Sequence, residues 1–374
     1  MNFTYSAEQI EFRDVLHALL QAEVGAERIR ARWDTASGRD AALEAQLRDF
    51  GLYSLMFPES LDGLGLSVID CALLAEVCGR AALPEPAVET MMVASPLLVD
   101  VLDRGLGNGS VQAVIEGVMS GDARVAVSHA INPHVNFGED AHWVIAGVAD
   151  AIYLLPRDKV EVTPLKSVDP SRRIAKIDFD PEEQYRLAEG EAAAAVLRST
   201  LNRGALSVAA QLVGLSEALV EQSVRYASDR EQFGRAIGVN QAIKHHLADV
   251  AVQIEYARPV IARAAYTLSV SPERADIAVS HAKLAAARVG LLAARHGIQV
   301  HGAMGYTWEC NVHIWSKRIW ALVREWGDEG FHKNRLQQWL LQSNALLGPE
   351  FTFGRRSLLP DSRVSDPVSA DTAA

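Results

Sequence analysis

Three apolar stripes between residues 212 and 298 constrain this chain more than any other feature. Leu212, Leu215, Leu219 and Tyr226 mark the first. Ile243, Leu247, Val250, Ile254, Ala257 and Ile261 mark the second, and Leu284, Ala287, Leu291, Ala294 and Ile298 the third. Spacings of three, four and seven place each set on one helical face, and three such faces in succession need each other to leave water. The pattern predicts a helical bundle entered near residue 190. Pro259 falls inside the second stripe and predicts a kink or break there.

Upstream, Ser6 precedes a helical pattern with Ile10, Val15, Leu16, Leu19 and Leu20 on its apolar side. Helical patterns return in "DAALEAQLRDFGLYSL", in "VIDCALLAEVCGRAAL" and over 88–119, separated by the Pro/Gly loop "FPESLDGLGLS" and by Pro84 and Pro86. Between about 123 and 180 the texture changes. "ARVAVSHAI", "HWVIAGV", "AIYLL", "KVEVTPL" and "RIAKIDF" are short β-rich runs bounded by Gly, Asp and Pro. A β-unit of that size is expected to lean on its helical neighbours. The expected architecture is α+β and mainly α. It has an N-terminal helical domain over 1–120, a small β-domain over 121–185, a C-terminal four-helix-bundle domain over 186–350, and a disordered tail over 351–374.

A formal net charge of −11 excludes a general nucleic-acid binder, which needs a basic face, and gives no attraction to anionic membranes. Cys71, Cys78 and Cys310 make neither a disulfide framework nor a metal cluster. They fit buried or indifferent thiols in a reducing cytoplasm. The start "MNFTYSAEQIEF" has no apolar core of a secretory signal, and no uncharged apolar run reaches the roughly 18–20 residues of a membrane span. A cytoplasmic protein is expected.

The run "DREQFGRAIG" interrupts the bundle pattern. Gly234 permits a turn between two helices, Phe233 offers a flat face to a ring or to the core, and Arg230 carries a planar fork of donors suited to a pyrophosphate. Helix capping by Arg230 and core filling by Phe233 would explain the same residues. The adjacent His245 and His246 point to different helix faces, and His301 and His313 stand alone, so no metal site is expected.

Arg230-Glu231-Gln232-Phe233-Gly234, followed by Ile237, Gln241, His246, Leu247, Ala248 and Asp249, resembles the RxxFG stretch of the acyl-CoA dehydrogenase family. "QVHGAMGYTWE" (299–309) is similar to that family's QxxGGxGYTxE, and "FPESLDGLGLS" to its PE-GG-G loop. Three motifs in order cover most of the chain. The resemblance implies FAD as cofactor, with Arg230, Gln232, Phe233, Gln299, Gly302 and Gly305 as its contacts, the second motif reaching the FAD of a neighbouring subunit. It also implies an acyl-CoA substrate, an electron-transfer flavoprotein as electron acceptor, and a homo- or hetero-oligomer with a paralogue. Ser128 and His129 fall where the family's β-domain touches the flavin, although they match its pattern poorly.

The family abstracts an α-proton with a glutamate at one of two places, while a hydride leaves the β-carbon for the flavin. Aligned through "SKRIWALVREWGDEG", the commoner place holds Trp326, which accepts no proton. The other holds Asn202, which is neutral. Glu325 and Asp328 are the nearest acids. With its shortened β-domain, the chain resembles the small subunits of bacterial heteromeric acyl-CoA dehydrogenases, notably those acting on steroid side chains. Three functions stay open at this point: an acyl-CoA dehydrogenase with an unorthodox base, a subunit completing the FAD site of a catalytic paralogue, and another flavin chemistry such as an oxidase or monooxygenase.

Overall fold

The computed structural model describes residues 4–107 and 109–342. The expected tail and the last eight residues of the expected bundle, 343–350, lie outside the described residues. α1 (Ala7–Glu23) opens on a capping box, in which Ser6 Oγ accepts from the Gln9 amide and the Gln9 side chain accepts from the Ser6 amide. α2 (Ala26–Trp33) and α3 (Ala41–Asp49) lead to α4 (Val68–Arg80), which starts on a second box made by Ser67 and Asp70. The Gln9 side chain donates to Asp70 across 2.6 Å, so the two helix starts are tied together.

α5 (Ala87–Glu89), a π turn (Thr90–Ala94) and α6 (Ser95–Asp103) form one rod. Pro96, with no N–H to give, stands just after the widened turn. α7 (Gly109–Ser120) completes the region, so the helical stretch expected over 88–119 is broken after Asp103. α4 lies on the bundle at very short range. A β-carbon on Gly214 would stand 1.9 Å from the Glu76 carbonyl oxygen, and one on Gly79 2.2 Å from that of Gln211.

The β-unit holds β1 (Val125–Ser128), β2 (Val135–Asn136), β3 (Trp143–Val148), β4 (Ala151–Pro156), β5 (Glu161–Pro164), β6 (Ile174–Asp178) and β7 (Arg186–Glu189). One sheet has the order β1-β3-β4-β7 and the other β2-β6-β5. β1 pairs parallel to β3, with Val125 opposite Trp143, and the remaining pairs are antiparallel. Val144, Ala146, Tyr153 and Leu155 face the small sheet, whereas Ile145, Ile152, Leu154 and Leu187 join the main helical core. Period-two alternation therefore buries both faces, and the unit leans on its helices. Its last strand extends past the expected boundary at 185 and runs straight into the bundle at Gly190.

The bundle contains α8 (Gly190–Asp229), a two-residue-strand hairpin of β8 (Glu231–Gln232) and β9 (Arg235–Ala236), α9 (Gln241–Val270), α10 (Ala275–His301), α11 (Val312–Leu322) and α12 (Glu329–Leu340). α9 continues through Pro259 without the expected break. The carbonyl this proline leaves unpaired belongs to Glu255, on the exposed side, where water can satisfy it. The first two stripes are buried over Leu212, Leu215 and Leu219 and over Val250, Ile254, Ala257 and Ile261, while Tyr226, Ile243 and Leu247 at the hairpin end are half-buried. The third is only partly so. Its Ala287 and Ala294 are buried, but Leu284 and Ile298 are half-buried and Leu291 is 43% exposed, and the buried face of α10 also carries Val279, Ala282, Lys283, Ala286 and Gly290. Small residues let this helix approach its neighbours, so its leucines are pushed outward. Windows in α8 and in 272–306 are apolar enough in composition to cross a membrane, but 78% and 61% of them are buried within the protein.

Candidate functional site

α8 ends where Arg230 turns to extended backbone, its N–H still reaching the Tyr226 carbonyl at 2.9 Å. Gln232 then pairs with Arg235 across a two-residue loop, Phe233-Gly234, with φ of 54° and 75°. Both central residues in the left-handed region define the tight hairpin turn that suits strand twist, and Gly234 adopts it freely. Phe233 does not. A bulky residue held there costs on the order of 1–3 kcal/mol. Its ring is fully exposed, so it gains no burial in this chain and does not fill the core. The Arg230 side chain is exposed and has no ion-pair partner among the described residues. The hairpin's foot is fixed by Gly238, where a β-carbon would stand 2.9 Å from the Ala227 carbonyl oxygen.

The second motif closes α10 at the same end of the bundle. His301 stacks on Tyr226 with ring centroids 4.3 Å apart, locking the ends of α8 and α10 together. Burial keeps the His301 imidazole below its ordinary pKa. Gly302 follows with φ 59° and ψ −135°, and nothing lies within 4 Å of where its β-carbon would be. Backbone is thus open to a ligand there. Gln299 is also exposed. Gly305 differs from expectation: it is buried, and its β-carbon would stand 2.9 Å from the Ile298 carbonyl oxygen. It packs the turn rather than opening it. Met304 and Tyr306 are exposed beside these groups. An unpaired guanidinium, a bare aromatic ring and an open glycine backbone share one outward end. That set fits the pyrophosphate and rings of an FAD lying against it from outside.

The inward site is of the opposite kind. Trp326 sits in the turn between α11 and α12 with φ 53° and is 2% exposed. Its indole covers Gly204 of α8, where a β-carbon would fall 2.2 Å from Cδ2. On its other side stands His129, ring centroids 5.8 Å apart. The Trp326 N–H donates to Asn132 Oδ1 at 3.3 Å, and its carbonyl accepts from His332 Nε2 at 3.0 Å. His129 Nδ1 accepts from the Ile131 amide, and burial pushes its pKa down to about 4, so the ring is neutral. A ring held between two others needs about 7 Å, twice the van der Waals separation. The position that the resemblance gives to the flavin contact and the position that it gives to the base have closed on each other. FAD does not fit between them.

Asn202 is fully buried in a polar knot. Its amide donates to Asp276 at 2.7 Å and its carbonyl accepts from Arg335 at 3.2 Å, while Arg198 and Arg335 both pair with Asp276. Burial raises the Asp276 carboxyl, but hydrogen bonds from Arg198 and Asn202 outweigh it and hold the group below its ordinary range. Glu325 is ion-paired with Arg172, and Asp328 caps α12 by accepting from the Phe331 amide at 2.9 Å. Both nearby acids are therefore engaged in structure. The space left beside Trp326, lined by Glu89, Arg172, Ser207, Gln211 and Glu325, is about 40 Å³. Ligand pockets run to roughly 300–1,000 Å³. Burial pushes Glu89 up to about 7 despite the Arg172 charge beside it.

Gly204, Lys283 and His332 are functional residues that no motif in the sequence marks. A lysine four residues before Ala287 and eleven before Ala294 lies on their face, so its burial was legible from those two members of the third stripe. His332 carried no such signal.

The chain matches the acyl-CoA dehydrogenase N-terminal domain over residues 6–122 and the acyl-CoA dehydrogenase C-terminal domain over 194–341. It is 31% identical over 313 residues to the acyl-CoA dehydrogenase IpdE2 of Mycobacterium tuberculosis, covering 83% of this chain and 90% of that one. Its fold is similar to a chain of the ChsE4-ChsE5 complex of Mycobacterium tuberculosis, with TM-score 0.79 and 22% identity over 92% of this chain and 100% of the other. A chain of the steroid acyl-CoA dehydrogenase Tcur3481-Tcur3483 gives 0.75 and 21% over 88% and 97%. The three motifs, the helical–β–helical order and these matches agree: the chain belongs to the acyl-CoA dehydrogenase family of oxidoreductases.

Proposed function

We propose that this chain works as the flavin-completing subunit of a heteromeric acyl-CoA dehydrogenase whose catalytic glutamate sits on a paralogue. The contact between Trp326 and His129, 5.8 Å between ring centroids, carries this reading, because it leaves no room for flavin and thioester between the positions that the resemblance gives to the flavin contact and to the base. The outward end supports the other half. Arg230 would pair with the pyrophosphate, Phe233 would lie against a ring of the dinucleotide, and the Gly302 turn would let backbone approach it. Gln232 and Gln299 flank that surface as polar contacts. FAD supplies, when bound, the hydride acceptor for α,β-dehydrogenation of an acyl-CoA.

Assembly in pairs of unlike chains is supported by the likeness to the ChsE4-ChsE5 complex. A steroid side chain as the acyl group is supported by the likeness to Tcur3481-Tcur3483. Reoxidation by an electron-transfer flavoprotein and a cytoplasmic setting belong to the same reading. The test is co-expression with a paralogue that retains the glutamate, with flavin content and acyl-CoA oxidation measured for each chain alone and for the complex. The complex should hold FAD and turn over substrate, and this chain alone should do neither. Turnover by the pure chain would overturn the proposal.

A further inference from the structure

Lys283 of α10 is 1% exposed and has no ion-pair partner among the described residues. Its ammonium instead faces three carbonyl oxygens, those of Val323 and Gly327 at 3.1 Å each and of Leu322 at 3.5 Å. Two of these are carbonyls at the end of α11, where the helix dipole is negative, and that of Leu322 also accepts from the Glu325 amide at 3.1 Å. The third belongs to the residue after Trp326. An apolar side chain would bury at this position without desolvating a charge, so an ammonium there needs a reason.

Trp326 supplies one. Its indole closes the slot only because its backbone stays in a conformation that aromatic residues avoid. Three polar backbone atoms around that conformation are gripped by side chains from three different elements. Asn132, after β1, takes the Trp326 N–H, His332 of α12 binds the Trp326 carbonyl, and Lys283 binds the Gly327 carbonyl. His332 is itself held by Ser280 Oγ at 3.0 Å, one helical turn before Lys283. α10 therefore fixes the turn at two points.

We propose that Lys283 is a positioning residue, whose buried ammonium clamps the end of α11 and the Gly327 carbonyl and so holds the Trp326 indole over Gly204. This rests on the reading that Trp326 closes the chain's own slot. The groups that bear on the charge of Lys283 are Asp328 at the start of α12, which favours the ammonium, and His332, with Arg335 beyond it. Burial lowers the Lys283 pKa to about 7 and that of His332 to about 4. Above neutral pH the amine keeps two donors for three carbonyls, and the clamp slackens by one contact.

The test uses the purified full chain labelled with 5-fluorotryptophan, the Trp326 resonance being assigned from W326F. In the wild-type chain that resonance should shift with pH with a midpoint near 7, well separated from the His332 transition near 4. K283M should abolish the upper transition and broaden or double the Trp326 line, while the other tryptophan lines stay in place. A Trp326 line that keeps its position and width in K283M, or that shifts with pH identically in K283M, would overturn the clamp. Should K283M fail to fold, K283Q is compared with wild type by the same line. No flavin, partner or turnover enters the measurement, so its failure is distinct from failure of the flavin-completing role.

Discussion

The indole of Trp326 lies against Gly204 so closely that a β-carbon there would stand 2.2 Å from its Cδ2. A glycine in the middle of a forty-residue helix costs about 1 kcal/mol relative to alanine. That cost is offset here by the space it leaves for an aromatic ring where the family keeps a carboxylate. The pair makes the closed slot a built feature: large at 326, nothing at 204, and His129 on the far side.

The first prediction concerns that pair. G204A must displace the indole by about an ångström in a packed core. Overpacking of this kind costs about 1–3 kcal/mol, against the ~1 kcal/mol that alanine returns to the helix. Urea denaturation should show a net loss of stability, larger in the wild-type background than in W326F. A G204A chain more stable than wild type would mean that the indole is free to move aside.

Restoring the residue type should not restore the chemistry. W326E removes a buried aromatic ring, a change that typically costs ~3–5 kcal/mol, and buries a carboxylate beside a neutral His129. His129 and Asn132 stay where they are against residue 326, so no room for a flavin opens there. The chain alone should therefore remain inactive and less stable, by assay with acyl-CoA and by thermal melting. Dehydrogenase turnover in W326E alone would show that only the base was missing.

The family and the hairpin turn were legible because both depend on local sequence. The Arg230–Gly234 cluster is contiguous, Gly302 stands in one short motif, and the turn follows from two residues. The closed slot was legible only as an absence, Trp326 and Asn202 standing where glutamates were expected. What replaced them depends on contacts between residues more than a hundred positions apart, Asn132 with Trp326 and Asn202 with Arg335. The third stripe, on α10, is buried only in part for a related reason. Hydrophobicity selected leucines for the stripe, but tight helix packing selected glycine and alanine, and left Lys283 inside. Gly305 likewise has the residue type of an open backbone and the surroundings of a packed one.

His332 should leave a mark on the acid limb of stability. Its pKa is lowered to about 4, chiefly by burial, so between about pH 6.5 and 4 the unfolded chain binds a proton that the folded chain does not. Stability contributed by the neutral ring is present above pH 6.5 and is lost as pH falls through that window. Each pKa unit corresponds to about 1.4 kcal/mol, so the effect is on the order of 1–3 kcal/mol. H332Q, which can still donate to the Trp326 carbonyl, should flatten this limb in denaturation curves taken at several pH values. An acid limb unchanged in H332Q would mean that His332 does not titrate in this range.

The outward end makes the last prediction, and it separates flavin binding from folding. Phe233 is fully exposed and Arg230 has no ion-pair partner among the described residues, so neither supports the fold. F233A and R230A should melt with wild-type temperatures; F233A should even relieve some strain, since alanine is less crowded at positive φ. In the complex with a glutamate-bearing paralogue the outcome should differ. Removing charge-assisted hydrogen bonds, each worth roughly 1.5–3 kcal/mol, should weaken FAD affinity about 10- to 100-fold in R230A. F233A should lose a smaller factor, because a stacking contact contributes about 0.5–1.5 kcal/mol beyond its buried area. Flavin titration of the complex followed by quenching of FAD fluorescence gives both constants, and circular dichroism checks that the helices are intact. If both variants retain FAD as tightly as wild type, the hairpin end is an interface between subunits and the dinucleotide lies elsewhere. If R230A weakens the flavin while the pure chain still binds none, the arginine serves a cofactor held by its neighbour.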